Sequence, residues 1–207
     1  MKSNNILFIL LIVAIVVVFL EISVIVLRTS YYKDELTGYA SGFVNLTILT
    51  TVAINMSRDT INWSLGVIDS GELNATLYTS GENAYVLRGN WSNANVKGFV
   101  VENHGNMNAS LFLISGKNAS TYFGGSQSQQ AYKWNVSNKE TGSCNGGLLG
   151  QWQEVNISSG GTRVCSQFDF HRNNNEVYID ILFTVPYDVA YIWDLSDTIT
   201  VIASSAI

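Results

Sequence analysis

Two kinds of residue in this chain offer chemistry by type and spacing: a pair of cysteines and a set of asparagines. Cys144 and Cys165 are the only two cysteines in 207 residues. A thiol pair outside a reducing compartment oxidises to a disulfide. This one would close a loop of about 20 residues, worth about 3 kcal/mol on the chain-entropy argument. The alternatives are two buried thiols, or a metal site shared with His104 and His171. Those histidines and cysteines show neither CxxC nor HxxxH spacing.

Asn-x-Ser/Thr, the acceptor pattern for N-linked glycan, occurs at Asn45, Asn55, Asn62, Asn74, Asn90, Asn108, Asn118, Asn135 and Asn156. Given 21 asparagines and 36 serines and threonines in the chain, chance alone would produce about 4 such sites. The transfer of glycan happens only on the outer or lumenal side of a membrane, so the excess predicts an exported chain beyond residue 44. Accidental sequons in an Asn- and Thr-rich β protein are the alternative.

Other chemistry is thin. No GxSxG nucleophile turn occurs; Gly124-Gly125-Ser126-Gln127-Ser128 lacks its last glycine and a strand-to-helix setting. His104 falls in a turn, and His171, in Phe168-Asp169-Phe170-His171, reads as structural. Residues 169–176 hold one Asp, three Asn and one Glu, hard oxygen ligands whose spacing does not match a helix-flanked calcium loop. A polar hairpin loop is the simpler reading. Trp63, Trp91, Trp134, Trp152 and Trp193 stack on sugars in some folds and pack cores in most. The expectation is a protein that is not an enzyme and has no cofactor and no metal.

These residues must be positioned by two different kinds of segment. Residues 6–27 form an apolar run whose single charge is Glu21. As a helix it would rise about 33 Å, enough to cross the hydrocarbon of a bilayer. A signal peptide is the rival, but its apolar core is usually ~7–15 residues and is followed by a small-x-small cleavage site. The expected organisation is a leader at 1–5, a membrane helix at 6–28, a juxtamembrane segment at 29–42 and an extracellular domain at 43–207. That makes a single-pass cell-membrane protein, with a lipid bilayer and copies of itself or other surface subunits as partners. Glu21 lies about 7 Å from the middle of the span by helical rise. A carboxylate there must meet a neighbouring helix or reach the interface. Net charge is −5 with no basic run, the opposite of a nucleic-acid footprint.

Beyond residue 42 the apolar period is two. Val44, Leu46, Ile48, Val52, Ile54 and Met56 share one face of a strand expected over 44–56. Leu73, Ala75 and Leu77, then Trp134 and Val136, then Val155 and Ile157, flank sequon asparagines in the same way. Alternation over 176–185 and 198–202 predicts two late strands. Glycine-containing turns separate these runs, and the glycine-rich stretch 142–161 reads as a long loop. About nine strands so punctuated predict an all-β fold, an antiparallel immunoglobulin-like β-sandwich.

An apolar N-terminal helix followed by a sequon-rich sandwich resembles archaeal type IV pilin-like and archaellin-type surface proteins. The segment Gly98-Phe99-Val100-Val101-Glu102-Asn103-His104-Gly105-Asn106, followed by Ala109-Ser110-Leu111-Phe112-Leu113, is similar to the strand–Asn-x-Gly–strand hairpin of immunoglobulin-like archaeal ectodomains. The resemblance implies a filament subunit whose helix, residues 6–40, packs in the filament core while the glycosylated sandwich faces outward. Leaders in that family are cut just before the apolar run, commonly after Gly or Ala. Lys2-Ser3-Asn4-Asn5 stands at that place here.

Overall fold

The computed structural model describes residues 3–35, 46–124, 129–189 and 195–206. The chain divides into two compact units, Met1–Ile48 and Leu49–Ile207. Val44, Asn45 and the end of the expected juxtamembrane segment lie outside the described residues.

The first unit is built on one helix, α1 (Ser3–Glu35), of 33 residues, about 50 Å long at 1.5 Å per residue. Its stretch Phe8–Leu27 has a mean hydropathy of 3.3, contains no buried residue, and is long and apolar enough to cross a membrane. The helix continues through the first part of the expected juxtamembrane segment, as far as Glu35. The physical reason is local: no Gly or Pro occurs before Gly38, so nothing in residues 29–35 breaks the hydrogen-bond ladder.

The second unit is mostly β-sheet. Its elements are β1 (Ile54–Arg58), β2 (Gly66–Ile68), β3 (Asn74–Ser80), β4 (Asn83–Leu87), β5 (Gly89–Trp91), β6 (Phe99–Asn103), β7 (Ala109–Ser115), the short helix α2 (Ala119–Phe123), β8 (Ala131–Asn138), β9 (Cys144–Gly147), β10 (Gln153–Glu154), β11 (Thr162–Phe168), β12 (Glu176–Pro186) and β13 (Ile199–Ser205). The long strand β12 organises a seven-stranded antiparallel sheet. β8 runs along one side of it from Val177 to Thr184, and β6 and β3 share the other side end to end. β1 extends the sheet beyond β6, and β4 extends it beyond β3. A second, four-stranded sheet has the order β13-β7-β11-β9, and β2 pairs with β5 in a two-stranded ribbon.

The two larger sheets close over one core. Val101, Trp134, Val136, Val177 and Ile179 from the first meet Leu111, Leu113, Val164 and Phe168 from the second. Period-two alternation places them: in β8, Tyr132, Trp134 and Val136 are buried while their neighbours are half-buried. A smaller cluster around Trp63, Ala75, Leu77, Ala84 and Val96 supports the β3–β4 end.

Several expectations need correction. Among the described residues, the strand expected over 44–56 forms from Ile54, and residues 46–53 join no strand. The hairpin expected across 98–113 is a sheet-to-sheet crossing, since β6 belongs to the large sheet and β7 to the small one. Asn103 explains the crossing. It is buried, its Nδ2 donates to Met107 O and Phe168 O, and its Oδ1 accepts from Gly105 N at 2.9 Å. The loop expected over 142–161 contains β9 and β10, whose backbones find partners in β11 and β8. The described residues hold 13 strands rather than about nine. One helical turn, α2, also interrupts the β pattern. Asn118 and Thr121 form its capping box and Gly124 ends it at φ 66°. A single turn is too short to show a helical period.

Candidate functional site

Cys144 on β9 and Cys165 on β11 are joined by a disulfide with Cα atoms 5.8 Å apart. Both are buried, and the bond runs diagonally between paired strands of the four-stranded sheet. It fastens the edge strand β9, whose Gly146 and Gly147 adopt left-handed backbone.

The sequon asparagines separate into two groups. Asn55 on β1, Asn62 and Asn90 on β5 are exposed. Asn62 Oδ1 accepts from Ser64 N at 2.8 Å, a turn closed within the sequon itself. Asn74 and Asn156, expected to project freely from polar strand faces, are half-buried with both amide atoms engaged. Asn74 accepts from Arg88 and donates to Gln129 at 3.2 Å; Asn156 accepts from Ser158 N and donates to Thr162 at 3.2 Å. Asn118 serves as the α2 cap. Asn108 and Asn135 bury an Oδ1 that has no hydrogen-bond partner. Period two predicted which face each strand asparagine takes, but not that neighbouring loops cover part of that face.

The 169–176 turn does not gather its oxygens. Asp169 Oδ1 accepts from Phe170 N, His171 N and His171 Nδ1, and Glu176 pairs with Lys139. Burial disfavours ionised Asp169, but the His171 and Phe170 amides and the His171 ring outweigh it and hold the carboxyl below its ordinary value. His104 pairs with Glu102 at 2.9 Å. Among the described residues no group of three His, Cys, Asp or Glu side chains is arranged to hold a metal ion.

A concave surface of about 380 Å³ opens beside the β2–β5 ribbon and the end of β12. Trp91, Val67 and Tyr187 line it with the carboxylates of Asp69 and Glu72. Trp91 lies flat on its own ribbon: a Cβ at Gly66 would stand 2.1 Å from the indole, and one at Gly89 2.5 Å. Only glycine at both positions allows this placement. Arg88 Nε lies 3.9 Å from Glu72 Oε2. Of the five tryptophans, Trp63 and Trp134 are core residues, and Trp193 lies outside the described residues. Sequence reasoning named Trp91 only as one of five and missed Asp69, Glu72 and Tyr187. Its one local signal was the Gly-x-Trp spacing of β5.

Two polar clusters are structural. Asp197 accepts from Tyr132 OH at 2.9 Å and from Ser115 Oγ, tying the segment before β13 to β7 and β8. Burial, with Asp197 nearby, pushes the neighbouring Tyr122 hydroxyl up to about 12. Asp180, 3% exposed in the middle of β12, accepts from Gly81 N at 2.7 Å. Burial raises its carboxyl above the ordinary value despite that bond. Folding therefore favours protonated Asp180. Its contribution is most favourable at low pH and worsens as pH rises from the unfolded carboxyl's value through the raised folded one. Glu82 has the opposite sign: hydrogen bonds from Arg58 and Lys97 hold it at about 2, so its contribution is lost as pH falls from 4.5 towards that value. Asp180→Asn keeps an acceptor for Gly81 and removes the buried charge. The variant should be more stable than wild type at pH 8, with the gap narrowing towards pH 4, read as urea midpoints of the full chain in detergent.

No family model matches this chain, and neither a curated protein nor a solved structure does.

Proposed function

We propose that the protein is a membrane-anchored, glycosylated surface protein, a pilin-like structural subunit of a filament or envelope. Its β domain is displayed outside the cell as an immunoglobulin-like sandwich. The observation that carries this reading is α1, apolar around its whole circumference from Phe8 to Leu27 yet holding Glu21 within that stretch. A helix apolar on every side suits lipid or the core of a helix assembly. A carboxylate in its span costs up to about 3 kcal/mol on insertion scales, and a contact with a neighbouring helix offsets that cost. The disulfide fits an oxidising exterior.

The test is Glu21→Leu in the native host. Loss of assembly with normal membrane insertion supports the subunit; unchanged assembly overturns the helix contact. Intact mass of the native protein should also exceed the polypeptide mass. Site mapping should find glycan on Asn55, Asn62 and Asn90 more often than on Asn74 or Asn156, because the first three are the exposed amides. An unmodified mass would remove the glycoprotein reading.

A second reading, a monomeric anchored binding or adhesion module, is favoured by the Trp91 groove. An indole beside two carboxylates is a surface on which a sugar ring stacks and donates its hydroxyl protons. Unchanged assembly of Glu21→Leu makes this the better account.

A further inference from the structure

We infer that residues 46–50 of one copy add as an extra strand to the free edge of β13 in a second copy. The inference rests on the reading of copies held side by side in a membrane, and it names a second contact between them, made outside the helix by the segment at the boundary of the two units and the β13 edge.

The acceptor is an unguarded edge. Among the described residues β13 ends the four-stranded sheet and is paired on one side only, with β7, in an unbroken register from Ile199↔Ser115 to Ser205↔Ala109. Its seven residues include no charge, no proline and no glycine. The other edges are protected or short. β1 carries Arg58 and a register shift, β9 holds two left-handed glycines, β4 has five residues and β10 two. Long, uncharged, regular edges recruit another strand unless something blocks them. The unpaired groups on β13 are identifiable. Gly116 N donates to Thr198 O, and Ala206 N donates to Asn108 O. Alternation along an antiparallel ladder then directs the N–H and C=O groups of Ile199, Val201, Ala203 and Ser205 towards the free edge.

The donor is a strand pattern without a sheet. Leu46, Ile48 and Leu49 are 79%, 74% and 77% exposed, among the highest values for large apolar residues in this chain. Leu46 and Ile48 alternate with Thr47, the period of a half-buried strand, yet residues 46–50 have no strand partner. The segment is anchored at its far end, where Asn106 Nδ2 donates to Leu49 O and Thr51 N donates to Asn106 Oδ1, each at 2.7 Å. An edge that lacks a strand and a strand pattern that lacks an edge are complementary, and strand addition satisfies both with main-chain hydrogen bonds.

The test uses the full chain in native membranes and then in mild detergent, with oligomers fixed by an amine-reactive crosslinker. Ala203→Pro removes an outward N–H that β7 does not accept, so the β7 ladder is retained. Leu46→Asp with Ile48→Asp alters only the donor and lies outside every strand. Each variant alone should reduce the crosslinked dimer in detergent at least tenfold. Mixing the two should restore a dimer, because each supplies what the other lacks, but nothing longer. A wild-type chain that is monomeric in both settings, dimers that survive both variants, or a mixture that stays monomeric overturns the inference. Failure of the helix reading is separate. It would show as normal assembly of Glu21→Leu, whereas loss of assembly in Glu21→Leu with an unaffected Ala203→Pro removes only the strand contact.

Discussion

Replacing Cys144 and Cys165 together by alanine should lower the stability of the β domain by about 3 kcal/mol or somewhat more, the chain-entropy value for a loop of this size. The bond closes a separation of 21 residues. Within the closed loop Gly146, Gly147, Gly150 and Gly161 are all at positive φ. Opening the bond therefore releases a segment with unusually large backbone freedom. Both half-cystines are buried, so the double alanine also loses packing. The effect should be read as a shift of the urea midpoint of the full chain in detergent, compared with wild type under oxidising and reducing conditions. Reduced wild type should move towards the variant, and a midpoint unchanged by reduction would mean that β9 is held by its pairing with β11 alone.

Trp134→Ala should cost about 3–5 kcal/mol, the range for deleting a large core aromatic. Trp134 is fully buried on β8, at the centre of the cluster shared by the two sheets, and pairs in register with Ile181 of β12. Its indole N–H is buried and has no hydrogen-bond partner. Leaving such a donor unsatisfied costs about 1–3 kcal/mol. Both Trp134→Phe and Trp134→Ala remove the orphaned donor, but phenylalanine keeps most of the ring volume, so Trp134→Phe should be far milder than Trp134→Ala. Denaturation midpoints of the two variants would separate the contributions. Equal losses would show that ring volume does not set the cost at this position.

The apolar helix, the strand periodicity and the cysteine pair were legible from residue order because each is a local or composition-level property. A 20-residue stretch this apolar is visible in residue order alone, and alternation at Trp134 and Val136 or at Val177 and Ile179 states which face is buried whatever sheet the strand joins. Which sheet it joins is another matter. β6 and β7 look like a hairpin in sequence but belong to different sheets, and the buried amide of Asn103, bonded to Phe168 65 residues away, sits at the crossing. Residues 46–50 continue the alternation read from residue 44, yet among the described residues they join no strand. The groove likewise needs Trp91, Glu72 and Tyr187 from three distant stretches, with Gly66 and Gly89 vacating the space under the indole. Sequence alone determined which residues are apolar, alternating or able to cross-link, since those properties reside in single residues and near neighbours. Tertiary structure decided the sheet partners, the exposure of each sequon amide and the free edge of β13, because each depends on chain segments brought together only by closing the core.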